Sequence, residues 1–109
     1  MTIQPYSTTA PSRAEIDALP GATLIQFGTD GCGHCNAAEP LVNQVLADYP
    51  AVRQLKIEDG SGRALGRSFR VKLWPTLIFM RDGVELTRLV RPTSVSMIEE
   101  AFEGVVAQG

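Results

Sequence analysis

Residues 23–46 read TLIQFGTDGCGHCNAAEPLVNQVL. The run opens with a short, almost wholly apolar strand signal, Thr23–Gly28, of the kind that fills the middle of a sheet. It passes through a glycine-flanked loop. It then becomes a long helical pattern from about Gly33, with Ala37, Ala38, Leu41, Val42, Val45, Leu46 and Tyr49 at helical spacing. Pro40 falls inside that pattern and is expected to kink it, and Pro50 closes it. Both cysteines of the chain, Cys32 and Cys35, lie where loop gives way to helix, one turn apart.

Working outward, Ser12 with Glu15 three residues later forms a capping-box signature for a short helix over Arg13–Leu19, ended by Pro20-Gly21. Residues 1–11 form an extended lead-in, with a short first strand around Ile3–Tyr6 as an alternative. Val52–Glu58 alternates, with Leu55 and Ile57 on one face and Gln54, Lys56 and Glu58 on the other. A turn over residues 59–62 and a short helix over Arg63–Phe69 come next. Thr76–Arg81 and Val84–Val90 are strands joined by Asp82-Gly83, a hairpin signal. The last helix opens at Pro92-Thr93-Ser94 and shares a face among Val95, Ile98, Ala101, Phe102 and Val105. Strands separated by helices imply parallel pairing, and the terminal hairpin adds an antiparallel piece. The expected fold is therefore α/β, a central mixed sheet with helices on both faces, in one domain spanning residues 1–109.

Composition narrows the function. Apolar residues make up 44% and charged residues 20% of the 109, which suits a chain with a real core rather than a disordered one. The net charge of −2, with no Lys/Arg run, argues against a nucleic-acid partner. No stretch has the apolar length of a membrane span. The start, MTIQPYSTTAPSRAE, lacks the basic-then-apolar pattern of a secretory signal, so a cytoplasmic location is expected. In that compartment a close thiol pair is catalytic or metal-binding more often than a permanent staple.

Three readings of the cysteines compete. A structural zinc site wants four Cys or His ligands, and this chain has two Cys and one His, so only a dimer could complete one. A structural disulfide across so small a loop restrains the unfolded chain little. Two merely packed cysteines do not suit the neighbours Gly31 and Gly33. A reversible bond fits best. Cys32, at a helix start, faces unpaired N–H groups and the positive end of the helix dipole, which favour its thiolate. Cys35, one turn in, is expected to be less exposed and within reach of a mixed disulfide on Cys32. Gly33 leaves room for a substrate sulfur, and a protonated His34 would stabilise the neighbouring thiolate.

Cys32-Gly33-His34-Cys35 after the TLIQFG strand, Pro40 in the helix, and Trp74-Pro75-Thr76 before LIFMRDG together resemble the thioredoxin family, over roughly residues 20–109. The inner Gly-His pair is similar to that of protein disulfide isomerase domains. The resemblance implies a thioredoxin-like fold and a thiol-disulfide oxidoreductase that works on protein disulfides. It implies Cys32 as attacking thiol, Cys35 as resolving thiol and a cis Pro75 beside both sulfurs. The Trp74 backbone would be free to pair with an extended substrate, with Trp74, Pro75 and Thr76 holding it. It implies no bound cofactor, a reducing partner such as a flavin-dependent thioredoxin reductase, and action as a monomer.

Several positions depart from the family pattern. Gly31 and Gly28 stand where aromatic residues are common, Gln26 where the family carries a buried acid, and Gln54 where a lysine often accompanies it. Loss of both charges together avoids burying one alone. It also removes the group thought to deprotonate the second cysteine, for which Lys56 and Glu58 are the nearest candidates. Arg91-Pro92 replaces a small glycine at the groove rim, where an arginine would stabilise the Cys32 thiolate, select acidic partners or simply be solvated. These departures also suit a different reading, a thioredoxin-like binding or adaptor module with idle cysteines.

Overall fold

A computed structural model describes residues 5–107. In chain order the elements are α1 (Arg13–Asp17), β1 (Ala22–Gly28), α2 (Gly33–Leu46), β2 (Arg53–Glu58), α3 (Ala64–Ser68), β3 (Thr76–Arg81), β4 (Val84–Val90) and α4 (Val95–Val106). The strands form one sheet in the order β2-β1-β3-β4. β1 is buried along its whole length, as its apolar run requires.

β1 pairs with β2 in parallel and with β3 antiparallel, and β3 pairs antiparallel with β4. The expectation that every helix-separated strand runs parallel is therefore corrected at β3. A crossover must carry the chain back along a strand, about 20 Å for six residues. The connection over residues 59–75 contains only the five-residue α3 and makes no such return, so the chain enters β3 from the end at which it left β2. Of the suggested first strand, residues 3 and 4 lie outside the described residues. Just after it, Ser7 forms a single bridge parallel to Ile57 at the outer edge of β2. Its N–H donates to the Lys56 carbonyl (2.8 Å), and its carbonyl accepts from the Glu58 N–H (2.9 Å).

The two faces of the sheet bury separate apolar clusters. α2 and α4 cover Leu24, Leu77 and Phe79 with Val42, Val45, Ile98, Phe102 and Val105. Phe79 meets Phe102 edge-on, with centroids 5.2 Å apart. On the other face α1 and α3 bring Ile16, Leu65 and neighbouring Phe69 over Ile25, Phe27, Ile57 and Ile78. Each large side chain so buried contributes about 1.5–3 kcal/mol. The Ser12–Glu15 capping box forms as read, with both reciprocal bonds present. The turn after β3 places Asp82 at φ 50 and Gly83 at φ 82, the left-handed pair that a two-residue hairpin needs.

The inward face of α2 is not quite the one its apolar residues suggest. Cys35, Ala38, Glu39, Val42 and Val45 are buried, whereas Ala37 is exposed. A carboxylate thus occupies a core-facing position one turn beyond Cys35.

Candidate active site

The Gly28 end of β1, the loop at residues 29–31 and the first turn of α2 set the two sulfurs. Cys32 is the N-cap of α2, in extended conformation, and its N–H donates to the Thr29 carbonyl at 3.3 Å. Its Sγ accepts the Cys35 N–H at 3.2 Å, so one of the orphan donors of the helix start is spent on the sulfur. Both cysteines are free thiols; Cys32 is partly exposed and Cys35 is only 2% exposed. Gly33 is exposed, and a Cβ added there would meet nothing within 4 Å beyond its chain neighbours and its own helix backbone. His34 is exposed on the same first turn.

The Trp74–Pro75 peptide is cis, and the Trp74 carbonyl lies 4.0 Å from Cys32 Sγ, which brings the two segments together as expected. That carbonyl already accepts one side-chain bond. Arg91 Nε donates to it at 2.8 Å, and the Arg91 N–H donates to the Pro75 carbonyl at 2.9 Å. Arg91 adopts φ 51, which explains why a glycine suits this position; the arginine accepts left-handed strain of about 1–2 kcal/mol and clamps the loop with its guanidinium. Thr76 is buried and donates its hydroxyl to the Leu73 carbonyl at 2.6 Å, bracing the same loop from inside. The Trp74 indole N–H donates to Asp59 Oδ2 at 2.9 Å, and Asp59 is itself tied to the Gly28 carbonyl through its N–H.

Behind the sulfurs the replacement of the usual charges is visible. Gln26 is buried, and its side-chain carbonyl accepts from the Gln54 amide, a neutral pair in place of a charged one. A charged pair lies nearby: Lys56 Nζ and Glu39 Oε1 meet at 2.8 Å, both buried. Glu58, the other base candidate, is paired with Arg63 instead.

The room left by Gly28 is filled by Tyr6, a residue that no sequence pattern singled out. A Cβ on Gly28 would lie 2.5 Å from Cys35 Sγ, 2.9 Å from the Tyr6 hydroxyl and 3.0 Å from its Cζ. Lys56 Nζ sits 4.5 Å from the centre of the Tyr6 ring. The tyrosine is fixed on both sides: its N–H donates to Asp30 Oδ1 at 2.9 Å, and Ser7 is bonded to β2. Burial, with help from the Cys32 contact, pushes the Cys35 thiol up to about 11, while the Thr29 backbone and the Tyr6 hydroxyl pull the other way. Burial and the adjacent sulfurs raise Tyr6 far above the ordinary phenol range.

The family model described as Thioredoxin matches residues 7–103. The chain belongs to the thioredoxin family. Thioredoxin 2 from Pseudomonas aeruginosa PAO1, in its reduced form, is 59% identical, with 99% of this chain and 100% of that one covered at a TM-score of 0.88. The thioredoxin of Chlamydia trachomatis is 34% identical over 70 residues, 64% of this chain and 69% of that protein. Thioredoxin Asp f 28 of Aspergillus fumigatus is 25% identical over 87 residues, 80% and 81% of the two chains. This member of the thioredoxin family is a thiol-disulfide oxidoreductase, and its Cys32–Cys35 spacing is that of a C-x-x-C redox motif. No helix among the described residues is long and apolar enough to cross a membrane.

Proposed function

We propose that this thioredoxin-family protein reduces protein disulfides, with Cys32 as nucleophile and Cys35 as resolving thiol. The observation that carries the reading is the asymmetry of the pair: a partly exposed sulfur capping α2 and a buried one whose N–H it accepts. The Cys32 thiolate attacks one sulfur of the substrate disulfide. A mixed disulfide forms and the first substrate thiol leaves. Cys35 then gives up its proton and attacks Cys32 Sγ, and the second substrate thiol leaves carrying that proton. Two electrons have passed to the substrate, and Cys32–Cys35 remains as a disulfide.

Gly33 leaves room for the incoming sulfur, His34 adds positive charge beside Cys32 when protonated, and Trp74 and Pro75 form the wall of the groove. Thr76 and Arg91 hold that wall in place. No bound cofactor is needed, since the cysteines are the redox group. The protein acts as a single-domain monomer in the cytoplasm, and a flavin-dependent thioredoxin reductase returns the dithiol. Insulin reduction with dithiothreitol as electron source tests the reading. Wild type turns over, Cys32→Ser does not, and Cys35→Ser accumulates a covalent mixed disulfide with the substrate. Undiminished turnover by Cys32→Ser overturns the assignment.

A further inference from the structure

The buried acid that resembling chains place at residue 26 is an amide here, yet Cys35 must still shed a proton from a buried site. Among the buried side-chain oxygens described, the Tyr6 hydroxyl has no hydrogen-bond partner, although Tyr6 is only 6% exposed. It lies against the space beside Gly28 that Cys35 Sγ also borders. An orphaned buried donor next to a thiol that must become an anion has an evident use.

We propose that the Tyr6 hydroxyl is a catalytic group of the resolving step: it donates a hydrogen bond to Cys35 Sγ as the thiolate forms. The inference rests on Cys35 being the resolving thiol. In the dithiol state the hydroxyl faces a poor acceptor and goes unsatisfied. In the thiolate state it gains a charge-assisted bond, so the interaction is stronger at the moment it is needed. The proton is not kept by Tyr6; it departs with the second substrate thiol, and the electron pair on Cys35 Sγ forms the new bond to Cys32. The charged groups around the hydroxyl are few. Glu39 faces it from α2, and its negative charge is offset by Lys56 from β2, which lies on the tyrosine ring. Cys32 is the other sulfur, and Asp30 holds the tyrosine main chain rather than its hydroxyl. Lys56 over the ring makes the phenol a better donor and adds a positive field towards the anion. The Lys56–Glu39 ion pair thus supports an anion without itself accepting the proton.

The test is rapid mixing of the reduced protein with an aromatic disulfide whose released thiolate is coloured. Wild type releases one equivalent as Cys32 reacts and a second as Cys35 resolves. Tyr6→Phe, which keeps the ring that fills the Gly28 space, leaves the first phase unchanged. It slows the second about tenfold at neutral pH, the size expected for one hydrogen bond to a charged group, and moves its pH profile upward. Uniform replacement of tyrosine by a fluorotyrosine, a stronger donor, quickens the second phase; Tyr49, the other tyrosine, packs on Phe102 in the core cluster of α2 and α4. If both phases of Tyr6→Phe match wild type within twofold at every pH, the role of Tyr6 is refuted. If wild type shows no second phase at all, the assignment of Cys35 fails instead.

Discussion

Gly28→Ala is the sharpest probe of how the site is packed. The new methyl carbon would come within 2.5 Å of Cys35 Sγ and within 2.9 and 3.0 Å of the Tyr6 hydroxyl and Cζ, all at or inside the closest approach that folded proteins show. Cys35 can turn its sulfur, but Tyr6 is anchored through Asp30 and β2 and cannot retreat freely. Overpacking of this kind costs about 1–3 kcal/mol. Replacing glycine within a strand returns about 0.5–1 kcal/mol of backbone entropy. The net loss is therefore on the order of 1 kcal/mol and at most about 2.5 kcal/mol, a fall in Tm of about 4–8 °C per kcal/mol for a domain of this size. Denaturant melts of the reduced protein read it directly. The decisive comparison is the same change in a Tyr6→Ala background. There the ring is gone, and Gly28→Ala costs about 1 kcal/mol less than in wild type. Equal costs in the two backgrounds, or no cost in either, would show that the tyrosine does not occupy the space beside Gly28.

The Glu39–Lys56 pair yields a second cycle: Lys56→Met strands a buried carboxylate and costs about 3–5 kcal/mol, whereas Glu39→Leu combined with Lys56→Met costs less than either single change in urea melts. Because the fold raises the Cys35 thiol from 9.0 to about 11, it favours the protonated form. The associated stability, on the order of 2 kcal/mol, is fully present below about pH 8.5 and is lost as pH rises through about 11. Reduced wild type therefore loses more stability than Cys35→Ala across that range, and parallel pH curves would contradict this. At Arg91 an inverted order is expected: Arg91→Ala keeps the left-handed strain and loses the bond to the Trp74 carbonyl, costing about 1 kcal/mol. Arg91→Gly sheds the strain too and ends within about 1 kcal/mol of wild type. Thermal melts of the two variants check the ranking.

Element types were legible because local periodicity is strong. β3 and β4 fall on the residues that the apolar run Thr76–Arg81 and the Asp82-Gly83 turn indicate. The direction of β3 was not legible, because it depends on the path of the connection over residues 59–75 rather than on any local pattern. The sulfur pair, the helix start and the cis proline segment were readable from chemistry-bearing residues at fixed spacing. Tyr6, Glu39 and Asp59 were not, since each acts across a long sequence separation. A signal existed all the same. Gly28, where the family resemblance leads one to expect a ring, announces a volume that something else must fill, whereas Gly31 is exposed and borders open space. Glu39 stands at i+4 from Cys35 on a face otherwise built of Ala and Val, a carboxylate that burial alone would reject. Lys56 was one of two candidates for a nearby base, and only the coordinates separate it, paired with Glu39, from Glu58, paired with Arg63.

The stretch common to the family begins at residue 7, one position after the tyrosine that backs the buried sulfur. Trimming or fusing the leader of this protein therefore edits its chemistry. A version starting at Thr8 would keep the whole C-G-H-C signature but lose the buried hydroxyl, and it would pass through the second half of each turnover more slowly, holding its clients covalently for longer.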